Sequence, residues 1–157
     1  MHAVLSNFEF DVRLVSLTEA WLETVLCIEQ QVYSHPWTRG NFVDACKAGY
    51  AVQLLMQGDE VLGYFVAMQG VDEVHLLNIT VAPKHQGLGW GQQMLTVLST
   101  WARDLNAQWL WLEVRISNTR ALQLYERIGY RRVGLRKQYY PLATGQREDA
   151  IVMSLKL

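Results

Sequence analysis

Three glycines at alternate positions, Gly87, Gly89 and Gly91, lie in Val81-Ala82-Pro83-Lys84-His85-Gln86-Gly87-Leu88-Gly89-Trp90-Gly91, where an apolar strand-like run gives way to a helix-like one. Glycine lets the backbone turn sharply and lets a ligand reach the amides without meeting a Cβ. The first N–H groups of the following helix lack intrahelical partners and carry partial positive charge, so this segment suits an anion such as phosphate. Two familiar phosphate motifs are excluded. The chain has no Gly-x-x-x-x-Gly-Lys-Ser/Thr run, and a dinucleotide fingerprint counted from Gly87 meets Gln92 where glycine is needed. What fits is Gln86-x-x-Gly89-x-Gly91, a Q/R-x-x-G-x-G/A loop.

A second chemistry-bearing position is Glu113, which interrupts Trp109-Leu110-Trp111-Leu112, a strand read as apolar on both faces. A carboxylate buried there has its pKa raised toward neutrality, as a general base requires. The alternative is an ion pair with Arg115, two residues along on the same face, and the pattern leaves both open. Tyr125 falls on the inward stripe of a helix, where a tyrosine by itself reads as core with its hydroxyl satisfied locally. No Gly-x-Ser-x-Gly elbow is present and Cys27 falls on an apolar helix stripe, so no covalent nucleophile is expected. His75, in a buried strand, reads as a structural hydrogen-bonding group. No histidine or carboxylate spacing suggests a metal.

The elements that must position these residues follow from hydrophobic periodicity. Phe8–Val15 reads as a first strand. Thr18 caps a helix whose stripe is Trp21, Leu22, Val25, Cys27, Ile28 and Val32, and Trp21 and Trp101 read as core. Tyr33-Ser34-His35-Pro36-Trp37 ends that helix, because the residue before a proline avoids the helical region. A shorter helix starts at Thr38 and reaches about Lys47. Tyr50–Met56 and Val61–Gln69 flank Gln57-Gly58-Asp59-Glu60 as a hairpin. Val74–Val81 is apolar on both faces and therefore central. A helix over Gly89–Asp104, a strand over Gln108–Val114 and a helix over Asn118–Ile128 follow; Tyr130–Gln138 and Ala150–Leu155 supply the last strands. The order βααβββαβαββ predicts an α/β fold of the α+β type, one domain over residues 1–157 with helices packed on a mixed sheet.

Composition narrows the class. Half of the 157 residues are apolar and 18% are charged, which excludes a disordered tail or a fibrous repeat. No apolar run approaches the ~18 residues needed to span a bilayer. With no secretory signal and two cysteines lacking metal-ligand spacing, a reduced, cytoplasmic, metal-free protein is expected. The net charge of −1 argues against a bulk nucleic-acid binder. Its distribution is uneven: residues 1–80 hold ten acidic and three basic side chains, and residues 81–157 hold five and eleven.

Further segments accompany the glycine loop: Ile28-Glu29-Gln30 ahead of Pro36-Trp37, Leu77-Asn78-Ile79-Thr80-Val81, and Leu110-Trp111-Leu112-Glu113-Val114-Arg115. Ser117-Asn118 with Ala121 and Leu124-Tyr125-Glu126, Tyr139-Tyr140-Pro141 and Arg147-Glu148-Asp149-Ala150 complete them. Together they resemble the GNAT superfamily of acyl-CoA-dependent N-acetyltransferases, and within it the ribosomal-protein alanine N-acetyltransferase group. The resemblance covers nearly the whole chain; the loop alone specifies only the superfamily. It implies a GNAT-like, mostly antiparallel central sheet flanked by helices, with acetyl-CoA as acyl donor and no metal. Gln86, Gly87, Leu88, Gly89, Trp90 and Gly91 would wrap the pyrophosphate of coenzyme A. Ile79, Thr80 and Val81 would bond its pantetheine arm, and Asn118 would contact it as well. One departure is Gln92-Gln93, where many members carry Arg and Ala, and Arg120, Arg131 or Arg132 is the candidate substitute.

Acetyl transfer to an amine needs a base to free the amine's lone pair and benefits from an acid for the departing thiolate. The resemblance assigns Glu113 as base, directly or through water, and Tyr125 as acid, with Tyr139 or Tyr140 as the alternative acid. It places Trp37 on one side of a peptide groove and Tyr139 and Tyr140 on the other. The acceptor it implies is the N-terminal alanine of a small-subunit ribosomal protein. The acidic half would attract that basic N-terminal segment while the basic half holds the anionic donor. A monomer is expected, with no membrane and no direct nucleic acid; RNA contact through Arg131-Arg132 and Arg136-Lys137 is the weaker reading. A small-molecule amine as acceptor, or a non-catalytic acetyl-CoA-binding module, are the competing functions.

Overall fold

The computed structural model describes residues 11–157, so Phe8–Phe10 of the expected first strand and His2 lie outside the described residues. The order of elements is β1 (Val12–Ser16), α1 (Glu19–Val32), α2 (Arg39–Lys47), β2 (Ala51–Gln57), β3 (Glu60–Gln69), β4 (Glu73–Val81), a 3-10 turn (Pro83–His85), α3 (Trp90–Asp104), β5 (Trp109–Arg115), α4 (Thr119–Ile128), β6 (Arg131–Pro141) and β7 (Arg147–Lys156). The strands form one seven-stranded sheet in the order β1-β2-β3-β4-β5-β7-β6. β4 is its middle strand, as its double-sided apolar pattern predicts. It pairs with β5 in parallel, whereas the β1–β2, β2–β3, β5–β7 and β6–β7 ladders are antiparallel.

The chain divides into two compact units. The first runs up to Met68 and includes Asn78–Met94. Its strands form a meander, Leu14 opposite Leu55 and Leu54 opposite Tyr64, with Gly58 at φ +57° turning the hairpin. Leu54, Phe65, Val66 and, on the helices, Val25 and Phe42 are fully buried. α2 starts in a capping box: Asn41 N–H donates to Thr38 Oγ1 at 3.1 Å and Thr38 N–H to Asn41 Oδ1 at 2.9 Å, which satisfies two donors that the helix itself cannot. At Gly63, β3 comes so close to β4 that a Cβ would sit 2.5 Å from the Thr80 carbonyl oxygen. Only glycine fits there, so Gly63 sets the lateral position of Thr80 and Val81.

The second unit comprises Gln69–Leu77 and Leu95–Leu157. Its start of β4 pairs with β5 from Glu73↔Trp109 to Leu76↔Leu112, and β5 continues antiparallel to β7 through Arg115↔Ala150. β5 differs from the expected strand buried on both faces. Leu110, Leu112 and Val114 are buried, but Trp109 is 44% exposed and Trp111, Glu113 and Arg115 are half-buried. One face meets the core and the other is only partly covered, so Glu113 interrupts the partly covered face. Three other packing expectations also change: Trp21 and Trp101 are half-buried rather than core, and Cys27 is exposed. Among the described residues, no helix is long and apolar enough to cross a membrane.

Candidate active site

The last residues of β4 carry a buried polar network in the first unit. Glu29, on the inward face of α1 four residues after Val25, is 1% exposed. Its Oε1 accepts from Trp37 N–H at 3.0 Å, both oxygens accept from Asn78 Nδ2 at 3.2 Å, and Oε2 accepts a short bond from the Tyr64 hydroxyl. Asn78 Oδ1 in turn accepts from Thr80 Oγ1 at 2.8 Å. The Tyr33 hydroxyl donates to the Ile79 carbonyl at 2.9 Å and lies 2.9 Å from Thr80 Oγ1. Burial, helped by the charge of Glu29, pushes the Tyr33 hydroxyl up to about 12, and pushes Tyr64 far above its ordinary range. The network fixes Ile79 and Thr80 on the strand and ties the Pro36-Trp37 turn to the same carboxylate.

The glycine loop follows at the end of that strand. Pro83–His85 forms its 3-10 turn, pinned by Glu60, which pairs with Lys84 and with His85 Nε2 at 3.0 Å. Those two bonds hold the Glu60 carboxyl below its ordinary value. Gln86 folds back so that its Nε2 donates to the Val81 carbonyl at 3.1 Å. Gly87 and Gly89 adopt φ +77° and +89°, a region that side chains avoid, and nothing lies within 4 Å of where a Gly89 Cβ would stand. Leu88 between them is 69% exposed. Trp90 and Gly91 open α3, where Gln93 N–H to Gly89 O is the bond that starts the ladder. A left-handed glycine facing open space at a helix N-terminus fits an approaching phosphate.

The second unit holds Glu113, its side chain 5% exposed. Its Oε2 lies 2.5 Å from His75 Nε2, and the His75 ring stacks flat on Trp111 at 3.6 Å. Oε1 is buried and among the described residues takes part in no hydrogen bond, although Arg136 Nη2 stands 3.4 Å away as a charge contact. The Tyr140 hydroxyl donates to the Glu113 carbonyl at 3.2 Å. The expected alternative partner, Arg115, is engaged elsewhere. It donates to Glu148 Oε1 and to the Pro141 carbonyl, both at 2.9 Å, and stacks over the Tyr140 ring at 4.6 Å. Burial works to raise the Glu148 carboxyl, but Arg115 and Ser117 outweigh it and hold the group below its ordinary value.

The remaining expected residues are placed as follows. Asn118 is the N-cap of α4, its Oδ1 accepting from Ala121 N–H at 3.2 Å. Tyr125 is buried on the inward stripe of α4, which Leu122 joins, with its ring 5.6 Å from that of Tyr130. Tyr139 and Tyr140 meet edge to face at 4.8 Å near the end of β6, with Arg136 over the Tyr139 ring. Trp37, in the first unit, packs against Phe42 and stands between two cavities of about 410 and 430 Å³. Arg132, one candidate substitute for the missing basic residue, pairs with Glu126 at 2.7 Å. Among the described residues no group of His, Cys, Asp or Glu has the makings of a metal site. Sequence reasoning missed His75 and Arg136 as the partners of Glu113 and gave Glu29 no role. An acid on the apolar stripe of α1 was the available signal for Glu29.

Residues 18–130 match the Acetyltransferase (GNAT) family, and the chain belongs to that family: it is an N-acetyltransferase. Over 145 residues, 92% of this chain and 99% of the relative, it is 37% identical to the ribosomal protein bS18-alanine N-acetyltransferase of Haemophilus influenzae. It is 34% identical over 142 residues to the Escherichia coli protein of the same name, covering 90% of this chain and 95% of that one. The crystal structure of the Escherichia coli ribosomal-protein-S18-alanine N-acetyltransferase superimposes with a TM-score of 0.85, covering 92% of this chain and 93% of that one. Acetyltransferases of this family use acetyl-CoA.

Proposed function

We propose that this enzyme transfers the acetyl group of acetyl-CoA to the N-terminal alanine of a small-subunit ribosomal protein, with Glu113 as general base. The observation that carries the chemistry is Glu113 Oε1, an acceptor withdrawn from water and spent on no hydrogen bond. An ammonium ion has no lone pair, so attack requires that its proton leave. Glu113 Oε1 takes it, directly or across one water, as the nitrogen bonds to the carbonyl carbon. The carbon–sulfur bond then breaks, Tyr125 gives its proton to the departing thiolate, and the second proton of the acylated nitrogen passes to the Tyr125 phenolate, leaving a neutral amide. No covalent enzyme intermediate is needed.

Donor binding falls to the loop. Gln86 to Gly91 hold the pyrophosphate through backbone amides, Ile79, Thr80 and Val81 meet the pantetheine arm, and Asn118 adds a side-chain contact. The open space at Gly89 supports this reading. Valine there is expected to raise the KM for acetyl-CoA at least about tenfold, because a Cβ both strains a positive φ and fills the approach. Trp37, Tyr139 and Tyr140 grip the first residues of the acceptor, and the acidic residues of the first half of the chain attract its basic segment. The acceptor's identity rests on the likeness to relatives that bear this activity in their names. The family match runs through both compact units, which supports one catalytic domain spanning the chain. We read the enzyme as a cytoplasmic monomer that needs no metal and no direct nucleic-acid contact.

The test is thiol release from acetyl-CoA with a peptide beginning Ala-Arg-Tyr and with its N-terminally blocked twin. Release with the free peptide alone is expected. Release with polyamines or free amino acids but with neither peptide would overturn the acceptor, and acetyl-CoA binding without turnover on any amine would overturn the catalytic role.

A further inference from the structure

The histidine that sequence reasoning treated as structural touches the candidate base. We propose that His75 is the positioning residue for Glu113: it pins one carboxylate oxygen so that the other is kept as the basic lone pair. This rests on the reading of Glu113 as base.

His75 Nε2 and Glu113 Oε2 lie 2.5 Å apart. With the carboxylate ionised, as a base must be, it can only accept, and the ring N–H is assigned to Nε2 as the donor. The ring is held in that orientation by stacking on Trp111 at 3.6 Å with 9° between the planes, and the parallel ladder sets His75 directly opposite Trp111. Because Glu113 is two residues beyond Trp111, it shares that face of β5, and the histidine reaches it without crossing the sheet. Both side chains are nearly withdrawn from solvent, so the bond is not shared with bulk water. The charged groups around the pair are few. Arg136 on β6 stands 3.4 Å from Oε1, the Arg115–Glu148 ion pair lies next along the same face, and Tyr140 bonds the Glu113 backbone.

Two consequences follow. A carboxylate with only Arg136 beside it would be free to rotate about its terminal bond and exchange its oxygens; the His75 bond removes that freedom. A donor on Oε2 also favours the charged form over the protonated one. Removing the donor therefore moves the acid limb of kcat/KM upward, whereas a residue that keeps an N–H at the same reach leaves it in place.

The experiment compares wild type, H75L, H75Q and E113Q with the free Ala-Arg-Tyr peptide at saturating acetyl-CoA from pH 5.5 to 9, an illustrative range of about three and a half units spanning ordinary histidine titration. H75L is expected to raise the acid limb by about one unit, a loss of roughly tenfold below it, with the KM for acetyl-CoA unchanged. H75Q, whose side-chain amide also donates, restores the limb to within a few tenths of a unit. A folded H75L whose limb is unmoved overturns the proposal, as does an H75Q that falls with H75L. If E113Q is inactive while the H75L limb stays put, only the positioning role is lost; if E113Q stays active, the base assignment itself fails and this inference with it. A readout that does not need H75L to fold is the His75 ring Nε2–H signal by NMR. Its Nε2–H resonance is expected to move in E113Q, where a neutral amide replaces the carboxylate acceptor, and an identical resonance in the two overturns the pairing.

Discussion

Glu29 on α1 and Glu113 on β5 are both withdrawn from solvent, yet their oxygens are treated in opposite ways. Every oxygen of Glu29 is engaged: Trp37 N–H, the Asn78 amide and the Tyr64 hydroxyl all donate to it. Glu113 has His75 on one oxygen and no hydrogen bond on the other. A carboxylate whose lone pairs are all committed must break internal bonds to accept a proton. One with an uncommitted lone pair need not. Burial is common to the two acids; the number of donors each meets is what differs.

The contrast is sharpest where each glutamate is changed. Replacing Glu113 with Gln removes the basic lone pair but keeps the shape. Turnover in the thiol-release assay is expected to fall about 10²–10⁴-fold with acetyl-CoA affinity nearly intact. A comparable loss of acetyl-CoA binding would place Glu113 with the structural acids. Glu29→Ala should do the reverse. It strands several buried donors, each costing roughly 1–3 kcal/mol, so chemical denaturation is expected to show about 3 kcal/mol of lost stability. If the folded fraction of that variant turned over normally, the tie from Glu29 to the Trp37 turn would carry no function.

A smaller effect concerns the tyrosines around Glu29. The Tyr33 hydroxyl is raised to about 12, above the ordinary value of 10, and Tyr64 is raised by burial too. An unfolded tyrosine ionises first as pH rises, so this stability is complete below pH 10 and drains away up to about 12. Tyr33→Phe is expected to remove up to about 2.5 kcal/mol of that alkaline loss, read as a shallower fall of denaturation midpoint with pH. An unchanged slope would mean that Tyr33 is not buried against Glu29. The smallest effect belongs to Asn118. Its cap on α4 is worth about 1 kcal/mol by Asn→Ala, and a larger rise in acetyl-CoA KM than that stability change explains would assign it to the donor as well.

Much of this architecture was legible beforehand. Thr38 read as a helix start and forms a reciprocal cap with Asn41, Gly58 turns the predicted hairpin, and β4 is central as its apolar run implied. The glycine loop sits where strand gives way to helix, with Gly87 and Gly89 in the conformations their type allows. What the sequence left open was partnership. Arg115 was the alternative mate for Glu113, but residues two apart on a strand stand roughly 6.5–7 Å apart along it. A long cation reaches a neighbouring strand more easily, and Arg115 bonds Glu148 on β7 while Arg136 comes from β6. Cys27 followed the helix stripe by spacing yet faces solvent.

The amino-acid sequence by itself determined the elements, the left-handed glycines of the loop and the presence of an acid within an apolar strand. These depend on interactions between residues one to four apart, which periodicity records. Only the tertiary structure decided which acid is saturated and which keeps a lone pair. His75 meets Glu113 across 38 positions, and Asn78 meets Glu29 across 49. Such meetings are set by strand register and by how a helix lies on its sheet, neither of which leaves a repeating mark along the chain.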